Sequence, residues 1–383
     1  MDKLFPAQEI GSLAKPVWRV KGYKGERLSK EEIAVAVEWG KRLEVENLDA
    51  LVKLLGKGDS PSRRKAILEW SAKYAIRFFE KAGLDIVFDG EQCRSEMYEH
   101  VIRNVNGFKF LGYVKSFDYR YFNKAACVDR PKRLKSFYLE EFVFTKKNTR
   151  KEVKVPFTGP YTLVDWTFNE HYEKKLGRKI KDFKRRKFGA KREFVFDLIK
   201  EIIRPEIGEL VGSGATWIQI DEPAATTNPT DDEMRLFVES FNEVVRGFKC
   251  TFSLHNCYSN YEVLARYVCE LRNCSQLALE FANRDSTRAG TGDARKGYKD
   301  IKQFEDYGFH GNYGLGVIDV HTDFVEPPEL VRDRILHVAR VIANPDRICV
   351  STDCGLRTRT WETSFQKLRN MVLGAELARK TFE

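Results

Sequence analysis

Two thiols and an imidazole stand at or near the ends of apolar runs in the second half of the chain. His255 and Cys257 belong to a His-Asn-Cys motif, and Cys354 belongs to Asp-Cys-Gly-Leu. Thiolate and imidazole are ligands that Zn²⁺ prefers in proteins. A third apolar run, Leu277-Ala278-Leu279, ends in Glu280, whose carboxylate completes a candidate set of four ligands from three strand ends. This combination predicts a catalytic metal site.

The spacing of His255 and Cys257 supports this prediction, because alternate residues of an extended strand share a face and both side chains can reach one ion. Taken alone, Cys257 is more typical of a small buried hydrophobe and His255 of a hydrogen-bonded core residue. A zinc site with an exchangeable position can bind a substrate thiol and generate a sulfur nucleophile near neutral pH. The remaining cysteines show no Cys-x-x-Cys spacing and are interpreted as core or surface thiols: Cys93, Cys127, Cys250, Cys269, Cys274 and Cys349.

Carboxylates end other apolar runs. Glu91 lies in Asp-Gly-Glu, and Asp221 and Glu222 lie in Asp-Glu-Pro. Such groups can hold the ammonium group of an amino-acid substrate. Each can equally cap a helix or pair with an arginine, so the sequence leaves both interpretations open.

Two further features have possible roles in catalysis or binding. Asp319 and His321 lie two apart on one predicted strand face, and a carboxylate that orients a histidine is a common device for proton transfer. Trp166 follows Gly159-Pro160 on the predicted helix after its strand. It is either a core residue or a stacking platform for a flat ligand.

The elements that position these residues alternate along the chain. Apolar runs of strand length end in the segments 9–12, 86–91, 155–160, 217–223, 252–255, 277–280, 316–321 and 348–354. Segments with helical spacing separate them, at 31–55, 62–82, 192–211, 232–248 and 331–343. Eight strands that alternate with helices indicate an α/β fold, a (β/α)8 TIM barrel, with functional groups at the carboxyl ends of the strands.

One segment departs from this alternation. Residues about 106–154 are rich in Tyr, Phe and Lys, and Tyr113–Phe122 and Phe137–Phe144 alternate as the arms of a β-hairpin do. We expect a hairpin inserted into one catalytic domain that covers residues 1–383.

The composition limits the classes of protein to which the chain can belong. The 66 Lys and Arg against 56 Asp and Glu give a net charge of +10, concentrated at 132–154 and 174–192. We interpret these patches as solvated faces, with a surface for nucleic acid or an acidic partner as the alternative. The eight cysteines form no disulfide framework, and the chain shows neither an apolar signal segment nor an 18-residue apolar stretch. We therefore expect a cytoplasmic protein that binds neither membrane nor nucleic acid.

In combination, the motifs resemble the catalytic domain of the cobalamin-independent methionine synthases. The resemblance runs from the first predicted strand to the last, on Ile10-Gly11-Ser12, Asp89-Gly90-Glu91, Thr158-Gly159-Pro160, Ile218 to Ala224, His255-Asn256-Cys257-Tyr258 and Asp353 to Arg359. It is similar to the short, core form of the family, because 383 residues leave no room for the amino-terminal barrel of the long form.

The resemblance implies a role for each candidate residue. Zn²⁺ is held by His255, Cys257, Glu280 and Cys354, and L-homocysteine coordinates it through sulfur. The amino-acid part of the substrate is bound by Ile10, Gly11, Ser12, Glu91 and Asp221. His321 acts in proton transfer beside Asp319, and Trp166 matches the tryptophan on which the pterin stacks.

Two departures from the family concern the methyl donor. Ala126-Cys127 stands where the folate enzymes have an Arg-Cys pair, and Thr227 stands where they have a glutamate. The folate contacts are thus partly absent. The donor is then either a methyl-pterin or a methyl-corrinoid, the latter possibly carried by a protein that docks on the basic patches.

The favoured hypothesis is a zinc-dependent methyltransferase that converts L-homocysteine to methionine. The alternative within the same chemistry is a zinc-dependent alkyl transferase acting on another thiol such as coenzyme M, against which Glu91 and Asp221 argue. A non-catalytic zinc protein that binds nucleic acid is a third possibility, for which paired Cys-x-x-Cys motifs are expected.

Overall fold

The computed structural model describes residues 3–115, 121–177 and 179–382. The strands are β1 (Ile86–Val87), β2 (Val105–Lys115), β3 (Tyr121–Arg133), β4 (Glu152–Thr158), β5 (Trp217–Asp221), β6 (Thr251–Asn256), β7 (Gln276–Leu279), β8 (Asn312–Ile318) and β9 (Ile348–Thr352). Seven of them form one sheet in the order β1-β4-β5-β6-β7-β8-β9, and every neighbouring pair is parallel. Parallel neighbours bring their carboxyl ends to one edge, where the candidate site residues lie.

The helices are α1 (Val17–Lys24), α2 (Lys30–Arg42), α3 (Leu48–Leu55), α4 (Pro61–Ala82), α5 (Met97–Arg103), α6 (Leu139–Asn148), α7 (Pro160–Asp165), α8 (Glu170–Gly177), α9 (Phe183–Leu198), α10 (Arg204–Gly212), α11 (Asp231–Val245), α12 (Tyr261–Ala265), α13 (Asp300–Asp306), α14 (Pro328–Ile342) and α15 (Trp361–Arg379). A single π-helical turn, Ile199–Ile203, joins α9 to α10. The longest helix shows how local sequence sets the bounds. Ser60 accepts a hydrogen bond from the Arg63 amide at the start of α4, and Gly83 ends it with the left-handed φ of 96°.

The sheet is curled, and its two edge strands are joined through residues 6–8 where we predicted the first strand. Ala7 bridges Val350 of β9 and Gln8 bridges Ile86 of β1, both in parallel. Among the described residues, this segment therefore forms one isolated bridge to each edge strand and does not form a regular strand. The structure contains a curled parallel sheet of seven strands where eight strands were predicted.

Side chains explain why pairing stops after Gln8. The Lys154 ammonium donates to the Glu9 carbonyl at 2.6 Å, and the Gln219 amide donates to the Ile10 carbonyl at 2.8 Å. These carbonyls are therefore satisfied by buried side chains of β4 and β5 instead of a neighbouring strand. These two hydrogen bonds hold the segment that carries Ile10 against β4 and β5.

The predicted hairpin exists, but both of its predicted arms were wrong, because Tyr113–Phe122, predicted as one arm, contains the end of β2 and the start of β3. The hairpin consists of β2 and β3, which pair antiparallel, and it covers 105–133 with residues 116–120 outside the described part. Phe137–Phe144, predicted as a strand, lies largely in helix α6. Acidic residues in the first turn of α6 and lysines in its last turn complement the helix dipole, and this charge pattern outweighs the alternation of aromatic residues.

The search for helices long and apolar enough to span a bilayer found none among the described residues.

Candidate functional site

The structure brings three of the four predicted metal ligands together. The ligand atoms of His255, Cys257 and Cys354 lie within 4.8 Å of one another. His255 is in β6, Cys257 directly follows the end of β6, and Cys354 follows β9. Residues a hundred positions apart in the sequence thus meet at the carboxyl edge of the sheet.

The orientation of the His255 ring suits a metal ligand. Its Nδ1 lies 2.9 Å from the carbonyl oxygen of Ala278, and only a protonated nitrogen can donate to that acceptor. In the neutral ring the lone pair therefore belongs to Nε2, which is buried and faces the thiol of Cys354. A carbonyl that fixes the tautomer through the other ring nitrogen is the usual arrangement behind a histidine ligand.

The electrostatics of the cluster favour a cation. The pKa of Cys257 is well above its ordinary value because Cys354 shares a hydrogen bond with it, the thiol is buried, and Cys354 and Glu280 add negative charge. Burial lowers the pKa of His255, but the neighbouring Cys354 and Asp221 outweigh this and raise it to about 9. A positive charge at Nε2, whether a proton or a metal ion, is thus stabilised.

Glu280 lies beside the cluster but outside the group of three. Its Oε1 accepts hydrogen bonds from the Tyr258 amide at 2.8 Å and the Arg284 guanidinium at 3.1 Å. Its Oε2 is buried and has no hydrogen-bond partner in the described chain. A buried carboxylate oxygen with no partner is costly, and coordination of a cation satisfies it.

A hydrogen-bonded carboxylate holds the two ligand loops together. Asp353 accepts the amides of Phe281, Ala282 and Asn283 at 2.9, 3.0 and 2.7 Å. It precedes Cys354 in the sequence, and its partners follow Glu280. The Asp353 side chain therefore fixes the position of Glu280 relative to Cys354.

An open cleft lies over the cluster. Most of the predicted substrate and metal residues line it, namely Ile10, Gly11, Ser12, Glu91, Trp166, Asp221, His255, Cys257 and Cys354. The cleft is also lined by residues that we did not predict: Glu96, Met97, Phe122, Pro223, Tyr258, Gly355 and Arg357. Tyr258, Gly355 and Arg357 lie within three residues of predicted metal ligands and belong to the same sequence motifs. Their membership of these motifs is the signal by which the sequence could have identified them.

Two carboxylates line the cleft, those of Glu91 and Asp221, and Glu91 lies close enough to raise the pKa of Asp221. Glu91 has the left-handed φ of 55°, a conformation that is strained for a residue with a side chain and that the Asp89 carboxylate supports by accepting the Glu91 amide at 2.9 Å. Burial raises the pKa of Asp221 to about 7, although His255 and Gln219 act in the opposite direction. A cationic group bound here would favour the ionised form of Asp221.

Glu222, by contrast, has a structural role. Its carboxylate accepts the amides of Tyr161 and Thr162 at 3.0 and 2.7 Å, and so caps the start of α7. A Cβ on Gly159 would lie 2.1 Å from Glu222 Oε1. The motifs Thr-Gly-Pro and Asp-Glu-Pro therefore fit together, and of the two adjacent carboxylates Asp221 is the one that lines the cleft.

Trp166 lies on the cleft wall and stacks on Phe122, with ring centroids 5.1 Å apart and an interplanar angle of 25°. Phe122 belongs to β3, and the same strand pairs with the chain beyond Trp166 because the Cys127 amide donates to the Phe168 carbonyl at 2.8 Å. The hairpin thus supports the tryptophan. Ala126 is fully buried in this pairing, whereas Thr227 is exposed and donates to the Ala224 carbonyl at 2.8 Å.

Asp319 and His321 follow β8 and do not line the cleft as the described residues define it. The Asp319 carboxylate accepts the backbone amide of His321 at 2.8 Å, and the His321 Nδ1 lies 3.1 Å from the Tyr258 hydroxyl. Their loop is anchored by buried Lys367, which donates to the Asp319 carbonyl at 2.8 Å and to Glu326 at 2.9 Å. The catalytic candidates are thus linked to the cleft through Tyr258.

Comparison with known proteins identifies the family. The sequence model of the catalytic domain of the cobalamin-independent synthases matches residues 44–377. The chain is 39% identical to the methionine synthase of Thermoplasma volcanium, over 83% of this chain and 90% of that protein. It is 36% identical to that of Pyrococcus horikoshii, over 99% and 94%.

Solved structures show the same fold. The B12-independent methionine synthase from Shewanella sp. W3-18-1, in complex with selenomethionine, superposes with a TM-score of 0.74 at 22% identity over 99% of both chains. A methyltransferase from Methanosarcina mazei gives 0.59 at 14% identity, over 100% of this chain and 95% of that chain.

The chain therefore belongs to the family of cobalamin-independent synthases, as a member of its catalytic-domain type. It is a methyltransferase enzyme of methionine biosynthesis.

Proposed function

We propose that the protein transfers a methyl group to the thiolate of L-homocysteine, with Zn²⁺ as its cofactor, and so forms methionine. The observation that carries this proposal is the arrangement of the cleft. The thiol and imidazole cluster of His255, Cys257 and Cys354 and the carboxylates of Glu91 and Asp221 line the same cleft. A short amino acid with a terminal thiol has both groups that this arrangement recognises.

The residues present fit a zinc ion. Three soft or borderline ligand atoms lie within 4.8 Å of one another, and the buried Glu280 Oε2 has no hydrogen-bond partner among the described residues. His255, Cys257, Cys354 and Glu280 are the residues that hold it in this proposal. When bound, Zn²⁺ lowers the pKa of a coordinated thiol and so supplies a sulfur nucleophile near neutral pH.

The amino-acid part of the substrate lies, in this proposal, between the Ile10-Gly11-Ser12 segment and the carboxylates of Glu91 and Asp221. Buried carboxylates with an ammonium partner make strong hydrogen bonds, which orient the substrate. The relative from Shewanella was solved with selenomethionine, an analogue of the product. The overall fold is shared with that protein. We also infer that residues 6–8 complete a closed (β/α)8 barrel, since they hydrogen-bond to both edge strands.

Proton transfer is assigned to His321 beside Asp319. The Asp319 carboxylate holds the His321 backbone at 2.8 Å, and Tyr258 connects the imidazole to the cleft at 3.1 Å. An imidazole is suited to this work because its ordinary pKa lies near neutrality.

For the methyl donor we propose a methyl-pterin or a methyl-corrinoid, the latter free or carried by a protein. Trp166 offers a flat apolar face on the cleft wall. Ala126 and Thr227 supply neither the cation nor the carboxylate expected of the folate enzymes. Each missing charge-assisted hydrogen bond is worth about 1.5–3 kcal/mol, so simple methyl-folate is expected to react about a hundredfold more slowly than a well-matched donor.

The proposed function is tested by methyl transfer with zinc-loaded protein and L-homocysteine, with methyl-folate, methyl-pterin analogues and methylcobalamin offered in turn. We expect methionine from at least one donor, with methyl-folate slow. Coenzyme M replaces homocysteine in a parallel set, and a faster reaction with it would assign the enzyme to the alternative thiol. If a protein-borne corrinoid reacts well, salt should slow it more than free methylcobalamin, because docking on basic patches acts through screened charge.

A further inference from the structure

We propose that Arg357 is an anion-binding residue of the cleft, which receives a carboxylate or phosphate group of a substrate. The identity of the substrates in this inference rests on the proposed function. The argument that Arg357 binds an anion does not, because it uses only the surroundings of Arg357. Arg357 lies three residues after Cys354 in the sequence and lines the cleft with Glu91 and Trp166. It is half-buried, so the guanidinium is partly desolvated.

The cations near the cleft differ in what they contact. Arg94 is paired with Glu141 at 2.7 Å, and Arg359, two residues beyond Arg357, is paired with Asp323 at 2.8 Å. Among the described residues, Arg357 has neither a carboxylate within 4.0 Å nor a hydrogen bond. A partly buried guanidinium with its five donors unused is poised for a planar anion, which it can bind through two parallel hydrogen bonds.

A second cation strengthens this inference. Lys15 is half-buried, and likewise has no ion pair among the described residues. Burial and, to a lesser extent, the charge of Arg357 lower its pKa to about 8, although Glu91 and Asp89 act in the opposite direction. Two cations that repel each other near one cleft are a cost to the folded protein, and a bound anion offsets that cost.

Glu96 is a candidate for an internal partner of Arg357, since it lines the same cleft and the charge of Arg357 favours its ionised form. Its carboxylate is used elsewhere, because it accepts the Tyr98 and Glu99 amides at 2.8 and 3.0 Å at the start of α5. Glu96 therefore stays on its helix, and Arg357 remains available to a ligand.

Two substrates have such an anion. One is the α-carboxylate of the amino acid, whose ammonium group lies toward Glu91 and Asp221. The other is an anionic group on the methyl donor, which approaches from the side of Trp166. Both are carboxylates or phosphates, and Arg357 lies on a wall that either can reach.

The test uses Arg357→Met and Arg357→Lys, with zinc content and thermal midpoint measured first to show that both variants fold. Calorimetry then compares two pairs of ligands that differ in anionic groups. The first pair is L-methionine and 3-(methylthio)propylamine, which lacks the carboxylate. The second pair is methyl-tetrahydrofolate and the corresponding methyl-pterin without the glutamate tail.

We expect Arg357→Met to weaken binding of the member of one pair that carries the additional anionic group by roughly ten- to a hundredfold and to leave binding of its counterpart unchanged, while Arg357→Lys, which keeps the charge but not the two parallel hydrogen bonds, retains part of the affinity. Weaker binding of L-methionine alone in its pair would show that Arg357 binds the amino-acid carboxylate. Weaker binding of methyl-tetrahydrofolate alone in its pair would show that Arg357 binds an anionic group of the methyl donor. Unchanged affinities, equal losses for both members of each pair, or binding of none of the four ligands to the unmodified protein would each overturn the proposal. Failure of methyl transfer with normal methionine binding would count against the proposed function alone.

Discussion

The hydroxyl of Tyr258 lies 3.1 Å from Nδ1 of His321, although the two residues are 63 positions apart. Tyr258 directly follows Cys257 and has the left-handed φ of 53°. The strained turn directs the phenol from the metal-binding loop toward the loop after β8. The proposed acid–base residue is therefore coupled to the proposed metal ligands by one hydrogen bond.

This contact leads to a prediction for turnover. His321→Asn should lower kcat by about a hundredfold or more with a small change in the KM for homocysteine, because a proton-transfer group acts mainly in the transition state. Tyr258→Phe, which removes only the hydroxyl, should give a smaller loss of kcat. Steady-state kinetics with the best donor measure both. An unchanged kcat with a raised KM would make His321 a binding residue.

The metal cluster leads to a prediction for metal content. Purified protein should contain about one zinc ion per chain, and Cys354→Ser should lose metal and activity together, since a hydroxyl is a poorer zinc ligand than a thiolate. Circular dichroism should remain unchanged because other residues form the core. The matched control is Cys269→Ser, which changes an exposed thiol outside the cluster. The zinc content of both variants is measured after dialysis. Full retention of zinc by Cys354→Ser would show that Cys354 is not a metal ligand.

Close packing of two loops leads to a prediction for Gly355. A Cβ at this position would lie 2.6 Å from the Ser12 amide nitrogen and 3.0 Å from the Gly11 carbonyl carbon. Gly355→Ala must therefore displace backbone, and we expect a loss of about 1–3 kcal/mol in the free energy of unfolding together with a raised KM for homocysteine.

The control for Gly355→Ala is Gly189→Ala in helix α9, where the nearest atom lies at the ordinary contact distance of 3.4 Å. This change should stabilise the protein by roughly 0.5–1 kcal/mol through helix propensity. Urea denaturation compares the two variants. Equal stability of Gly355→Ala and the unmodified protein would mean that the loops separate without cost.

Glu96 leads to a prediction for pH. Burial raises its pKa from 4.5 to about 7, although the Glu99 amide and Arg357 act in the opposite direction. The folded protein holds a proton in this range that the unfolded chain releases, so Glu96 makes the free energy of unfolding fall as the pH rises from about 4.5 to about 7. Glu96→Gln should remove this dependence. Its stability relative to the unmodified protein should increase across that range in urea denaturation, and parallel curves would contradict the prediction.

The sequence predicted the alternating strands and helices well because buried parallel strands are short apolar runs that end in polar residues. The errors have local causes. Residues 9–12 were predicted to end a strand, but the carbonyls of Glu9 and Ile10 accept hydrogen bonds from Lys154 and Gln219, long-range contacts that no local pattern contains. In α6, aromatic alternation suggested a strand although the charges at both ends indicated a helix.

The site shows a similar limit. Asp221 and Glu222 are adjacent carboxylates, and strand alternation requires them to point to opposite sides without indicating which one lines the cleft. The choice depends on α7, whose free amides Glu222 caps. Arg357 was visible in its motif, but its lack of a carboxylate partner depends on the positions of Glu96 and Asp323, which only the folded chain defines.

The bridges at residues 6–8 have a consequence for folding. The Pro6 carbonyl accepts the Val350 amide at 2.8 Å, and the Gln8 amide donates to the Val350 carbonyl at 2.9 Å. These hydrogen bonds form only after more than three hundred further residues have been synthesised, and contacts of such long range form slowly. During translation, the segment that leads into Ile10, Gly11 and Ser12 must wait for β9 before it is held on both sides. The cleft, which Ile10, Gly11 and Ser12 line, therefore cannot be complete before β9 has been synthesised.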